Sequence, residues 1–230
     1  MAADDDPRRP LSDAAIVERI LSAIMDQRLC AGARLPESAL CEAFDCSRSQ
    51  IRRVLVVLAE RGGVKLQANR GAVVASPSRA EARDVFESRR AVERSIVMAA
   101  ASRLDRAALA ELRSNAAAGA RAEIAGRRGE SIRLSGEFHL GIAKAAGNSL
   151  LTRFLEDLVT RTSLIIGLYG PRSGRSCSED DHLALVDALA SRDPQRAARA
   201  MERHLEHIEE GLDMSERIEE APDLRTVFAS

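Results

Sequence analysis

Apolar positions between Leu35 and Leu58 recur at helical spacing in two short runs with a break between them. Leu35, Leu40 and Phe44 fall on one face of a helix starting near Pro36, and Ile51, Val54, Leu55 and Leu58 form the buried stripe of a second. Asp45-Cys46 interrupts the pattern, and Ser47 offers a hydroxyl where the second helix needs a cap. That helix leaves Arg48, Ser49, Gln50, Arg52 and Arg53 on its outer face. A period-two stretch follows over 64–67, then a turn at Ala68-Asn69-Arg70-Gly71 and a second stretch over 72–75, which predicts a β-hairpin with Arg70 at its tip. Two helices across a tight turn followed by a hairpin predict a winged helix-turn-helix, in which the second helix lies in the major groove of DNA.

The same reading extends both ways along the chain. Ser12 caps a helix carrying Ile16, Ile20, Leu21 and Ile24, expected to pack behind the helix-turn-helix. Ser76-Pro77-Ser78 ends the hairpin and marks a linker over 76–79. Beyond it every apolar pattern has helical period: 80–103, 107–125, 131–146, 150–168, 178–191 and 194–214, the last opened by Asp193 with Pro194 in its first turn. Six helices with short connections predict an antiparallel bundle. The expected fold class is mainly α. It comprises a tail over 1–11, a winged helix over 12–75, a linker over 76–79, an all-helical domain over 80–214 and a C-terminal tail over 215–230. Val227 and Phe228 in that tail are available to dock on a partner.

Composition narrows the picture. With no Trp, one Tyr and five Phe, the cores must be built from Leu, Ile, Val and Ala, which suits helices. A net charge of −1 argues against polyanion binding by the whole surface. The basic patch is local: Arg48, Arg52, Arg53, Arg61, Lys65 and Arg70 face a single acid, Glu60, across 48–70. Cys30, Cys41, Cys46 and Cys177 show no CxxC spacing, so neither a zinc ribbon nor a disulfide framework is indicated, and reduced thiols are expected. No leader-like segment or apolar run of membrane-spanning length is present, so a cytoplasmic location is expected.

Candidate chemistry concentrates on two sets of residues. Arginines at the start of the second helix suit guanine edges, because a guanidinium can hold O6 and N7 together. Three of the four histidines, His139, His182 and His204, fall on the apolar stripes of three different helices of the predicted bundle. Converging buried imidazoles are costly unless a divalent ion or hydrogen-bonding partners satisfy them. His207 falls on a neighbouring face and is expected to be exposed. Arg89 and Glu93 are spaced as a helix-surface ion pair.

The segments Leu29 to Glu37, Cys46 to Leu55, Gly63-Val64 and Ala68 to Val74 resemble the N-terminal domain of GntR-family bacterial transcription regulators. The resemblance implies DNA contacts at Arg34, Ser47, Arg48, Ser49, Arg52 and Gly71, beside Arg53 and Arg70 from the pattern itself. The chain departs from the family at Ala31 and Gln50, where Pro is usual, and at Arg53, where Glu is usual. Phe86 through Arg89 to Glu93, Glu137-Phe138-His139, Ala145 to Asn148, Asp181 to Leu189, Asp193 and Ala197 through Met201 to His204 resemble the FCD-type helical effector domain. That resemblance implies a divalent metal held by three His and an Asp one turn before the first His, where this chain has Ser135. It also implies that Arg89 faces an effector pocket. Ser135 and Tyr169 are further candidates for lining that pocket. Three imidazoles with open positions can hold zinc, nickel or manganese, or they can line a metal-free pocket for an anionic or amide-bearing molecule. The metal site at His139, His182 and His204 is the expectation, and the metal-free pocket is its alternative.

The combined expectation is a one-component DNA-binding regulator, acting as a homodimeric repressor on a palindromic operator of double-stranded DNA. A small metabolite, expected to be a carboxylate, would control it from the helical domain. The alternatives are a metal-dependent hydrolase built on the three His, and an architectural DNA-binding dimer without effector.

Overall fold

A computed structural model describes residues 11–68, 71–171, 179–215 and 224–228. Residues 1–10 of the expected N-terminal tail, Arg70 at the expected wing tip, and Arg172 and Cys177 lie outside the described residues. The chain forms two compact units. One takes the described residues of 11–24, 28–76 and 224–228, the other those of 25–27 and 77–215.

In the first unit, α1 (Asp13–Met25) buries Ile16, Val17, Ile20 and Ile24, and the Ala15 amide donates to Ser12 Oγ at its start. Helix α2 (Glu37–Phe44) begins at Pro36, whose fixed φ suits an entry to a helix, and buries Leu40 and Phe44. Asp45 ends it in the left-handed conformation, φ 47°, which a short polar side chain tolerates. Helix α3 (Arg48–Glu60) is capped by Ser47, whose Oγ accepts from the Gln50 amide at 3.3 Å. Ile51, Val54, Leu55 and Leu58 are its buried stripe.

The hairpin is β2 (Val64–Gln67) with β3 (Gly71–Val74), in antiparallel register Val64↔Val74 and Gln67↔Gly71. A strand not expected from the sequence, β1 (Arg34–Leu35), pairs on the other edge of β3 in the order β1-β3-β2. Two residues carry no detectable alternation, so only the register to Val73 and Ala72 defines it. Gly71 is required here by space as well as by its φ of +88°. A Cβ at that position would lie 2.3 Å from the Leu35 carbonyl oxygen.

The second unit contains α4 (Arg79–Ala101), α5 (Arg106–Ile124), α6 (Arg128–Ala146), α7 (Ser149–Tyr169), α8 (Glu179–Ala190) and α9 (Pro194–Glu210). Ser78 and Glu81 close a reciprocal capping box on α4, and Asp105, Asn148 and Asp193 cap α5, α7 and α9. α6 begins three residues earlier than its apolar pattern indicates. Gly126, φ +72°, breaks the chain alone, and Gly129 is absorbed into the first turn. α4 packs extensively against α9, and α5 against α6. Ile96, Val97, Phe138, Ile142, Leu189 and Met201 centre one core cluster, and Phe86, Ile132, Ile165, Ile166 and Ile208 a second.

The expected C-terminal tail departs from expectation. Residues Leu224–Phe228 form a short helix, α10, that packs on α2. Among the described residues no helix is long and apolar enough to cross a membrane.

Candidate functional site

Arg34, Ser47, Arg48 and Ser49 are exposed, the last three at the N-terminal end of α3, and Ser47 Oγ lies 2.9 Å from Ser49 Oγ. Free amides at a helix start favour an anion, so this end of α3 suits a phosphate or a base edge. Arg52 and Arg53 are also exposed but engaged, Arg52 Nε with Glu37 at 3.0 Å and Arg53 Nε with Asp13 at 2.7 Å. Gln50, expected on the outer face, is half-buried and donates from Nε2 to the Leu11 carbonyl at 2.8 Å. Gly71 is buried in the sheet and has its packing role there.

In the bundle, α6, α8 and α9 bring His139, His182 and His204 together. Each is buried, and the three candidate donor atoms lie within 4.8 Å of one another. His139 Nε2 is 3.2 Å from His204 Nε2. Two nitrogens bound at ordinary zinc distances in a tetrahedral site lie about 3.3 Å apart, so this pair is already spaced as ligands. Phe138 walls one side, its ring 4.3 Å from that of His182.

The i,i+4 spacing of Arg89 and Glu93 pointed to a surface ion pair, and the structure corrects that. Both side chains are buried, and Arg89 Nε donates to Glu93 Oε1 at 2.6 Å. The other carboxylate oxygen meets His139 Nδ1 at 2.5 Å. Glu93, read from the sequence only as half of a surface pair, is therefore the residue that joins Arg89 to the histidine cluster. Burial opposes its ionisation, yet Arg89 and His139 beside it hold the carboxyl down to about 2. Burial lowers His139 despite Glu93, takes His182 down to about 3, and puts His204 well below the usual histidine range. All three imidazoles are then neutral at pH 7. With Nδ1–H of His139 given to Glu93, its Nε2 carries the lone pair, the arrangement a metal-ligating histidine needs.

Ser135 is half-buried and lines a small cavity with Asn115, Ala116, Gly119, Ser131 and His182. The cavity holds about 10 Å³, room for roughly one water. Asn115 Oδ1, on its wall, is buried with no hydrogen-bond partner, and so is Arg89 Nη2. Tyr169, a candidate for a pocket mouth, instead packs against the cluster of Phe86, Ile165 and Ile208. His207 is exposed, as its face indicated, and pairs with Asp181 at 2.7 Å.

Two family models match the chain: bacterial regulatory proteins of the gntR family over residues 13–74, and the FCD domain over residues 84–207. The chain belongs to the GntR family of regulators, in the branch that carries an FCD domain. The HTH-type transcriptional repressor RspR of Escherichia coli (strain K12) is 26% identical over 182 residues, 79% of this chain and 80% of RspR. The HTH-type transcriptional regulator YcbG of Bacillus subtilis (strain 168) is 28% identical over 214 residues, 86% and 88% of the two chains. A solved GntR transcriptional regulator from Rhodococcus sp. RHA1 superposes with a TM-score of 0.69 at 23% identity, covering 86% of this chain and 95% of that one, a likeness of fold. As a GntR regulator with an FCD domain, the chain binds DNA through its winged helix and carries an effector-binding domain in its bundle.

Proposed function

We propose that this GntR-family regulator is a homodimeric repressor that reads a palindromic operator with the N-terminal turn of α3. In this reading a small metabolite in the helical bundle releases it. One observation carries the reading. A single chain combines an exposed, basic helix N-terminus at Ser47 and Arg48 with a buried, neutral His139–His182–His204 set. The relative named a repressor supports that sign of control. Arg34, Ser47, Arg48, Ser49 and Arg52 contact DNA, with Arg53 flanking. Arg52 and Arg53 would exchange Glu37 and Asp13 for phosphate.

His139, His182 and His204 would hold a divalent ion, with zinc and nickel the best match to an imidazole set and manganese, which favours oxygen donors, the poorest of the three. Such an ion supplies positive charge to an anionic or polar oxygen of the effector. Glu93 orients His139, and Arg89, with one arm on Glu93 and Nη2 buried without an acceptor, suits an effector carboxylate. The cavity beside Ser135 has room for about one water, so an effector reaching His182 through it would have to open the bundle there, and that opening would carry the signal. Ser135 favours a second reading of the same pocket, because serine is a poor ligand for zinc-like ions. A metal-free pocket would then use the three imidazoles as hydrogen-bond partners. For the hydrolase reading, Glu93 is not available as a general base, since both of its oxygens are engaged.

Elemental analysis of tag-free protein prepared without chelators tests the site. Near one zinc, nickel or manganese per chain supports the metal reading, and none after incubation with excess ion leaves the organic pocket. For the DNA face, Arg48→Ala should weaken binding to a duplex selected by the wild-type chain by about 1–3 kcal/mol. Unchanged affinity would remove Arg48 from the recognition surface.

A further inference from the structure

Residues 224–228 lie beyond both family matches, which end at 74 and 207. Five residues cannot sustain a helix in water by themselves, so α10 exists because it docks. Leu224 and Phe228, one turn apart on the same face, are buried, while Arg225 and Thr226 are exposed. Three contacts of different kinds anchor the helix in the DNA-binding unit. The Phe228 ring lies 4.6 Å from that of Phe44, tilted by 43°. Arg225 Nη2 donates to Glu42 Oε2 at 2.5 Å, and Arg28 Nη1 donates to the Val227 carbonyl at 2.5 Å. An aromatic pair, a charged pair and a bonded carbonyl together specify one register, which a purely apolar contact would not.

The docking position bears directly on the turn that leads into α3. Phe44 is the last residue of α2. Asp45 then takes its left-handed turn, and Ser47 caps α3. Phe228 therefore packs on the residue from which the turn into α3 departs. Glu42 sits on the first helix of the motif, the one that crosses the DNA backbone, where an unpaired acid would repel phosphate. Arg225 neutralises it.

We propose that α10 is a working part of the DNA-reading module, a C-terminal brace. It holds the turn between α2 and α3 and so orients the N-terminal turn of α3 toward DNA. The proposal rests on the DNA-reading role of α3. By its chain path the helical bundle is then an insertion within the DNA-binding unit, which is left at Ser76 and completed by α10. Phe228 and Arg225 are positioning residues, since they act through Phe44 and Glu42.

The test compares the full chain with a chain ending at Met214, with Phe228→Ala, and with Arg225→Glu alone and combined with Glu42→Arg. The DNA is a duplex selected from a random pool by the wild-type protein. Hydrogen exchange of backbone amides over 41–50 is followed beside duplex affinity. The expected result is exchange over 41–50 faster by about tenfold in the truncated chain and in Phe228→Ala, with α6 and α7 unchanged. Duplex affinity should fall by about tenfold in both, and Glu42→Arg should restore what Arg225→Glu loses. Unchanged exchange and affinity after truncation would make α10 a passive tail and overturn the brace. Tighter duplex binding after truncation would overturn it in favour of an inhibitory clamp. Protection of 41–50 that rises with protein concentration would mean that α10 docks on a second copy, again overturning it. A wild-type chain that selects no duplex would overturn the DNA-reading role itself, which separates that failure from failure of the brace alone.

Discussion

Two arginine–glutamate pairs in this chain have nearly the same local geometry and opposite consequences. Arg52 Nε meets Glu37 at 3.0 Å with side chains 64% and 21% exposed, and Arg89 Nε meets Glu93 at 2.6 Å with side chains 4% and 1% exposed. In the first pair water competes for both partners, so the guanidinium can exchange Glu37 for another anion. In the second, neither group can return to water while the bundle is closed. Glu93 is committed, and its remaining oxygen is committed to His139. Exposure makes an ion pair exchangeable, and burial makes it part of a scaffold for the histidines.

The largest expected effect that would break this contrast is at Glu93. Glu93→Gln removes a buried charge from between Arg89 and His139 and should cost about 3–5 kcal/mol, read by denaturant unfolding. A loss below about 1 kcal/mol would place the pair in the same class as Arg52–Glu37. Ser135→Asp sharpens the comparison from the metal side. A carboxylate beside His182 should tighten divalent-ion binding by about tenfold or more, the scale on which outer-shell partners already act. Equal affinity in a competition titration would show that the Ser135 position does not reach the ion.

The pH dependence is next in size. His182 is neutral in the folded chain down to about 3, whereas an unfolded histidine takes up its proton near 6.5. Between those values the unfolded state binds the extra proton. Stability of the metal-free protein should therefore fall as pH drops below about 6.5, by about 1.4 kcal/mol per pH unit for His182 alone. A flat stability profile between pH 7 and 5 would contradict the neutral, buried set. The smallest effect is expected at Glu37. Glu37→Gln should leave the unfolding midpoint unchanged while Arg52 stays available to DNA, and a marked drop would mean that this pair is structural.

What the sequence determined by itself was everything written within a few residues. The stripe Ile51, Val54, Leu55 and Leu58, the cap at Ser47, the Asp193-Pro194 helix start and the inward faces of His139, His182 and His204 all follow from helical period and capping chemistry. These are local free energies, and neither unit had to be known to read them. The tertiary structure decided what depends on distant neighbours. β1 exists only because Arg34 and Leu35 lie against Val73 and Ala72. α10 is a helix only where α2 receives it. Glu93 and Arg89 show the same i,i+4 spacing whether the helix face is wet or dry, and the partner that gives Glu93 its role, His139, is 46 residues away. Burial and non-local pairing are set by packing, which no local pattern encodes.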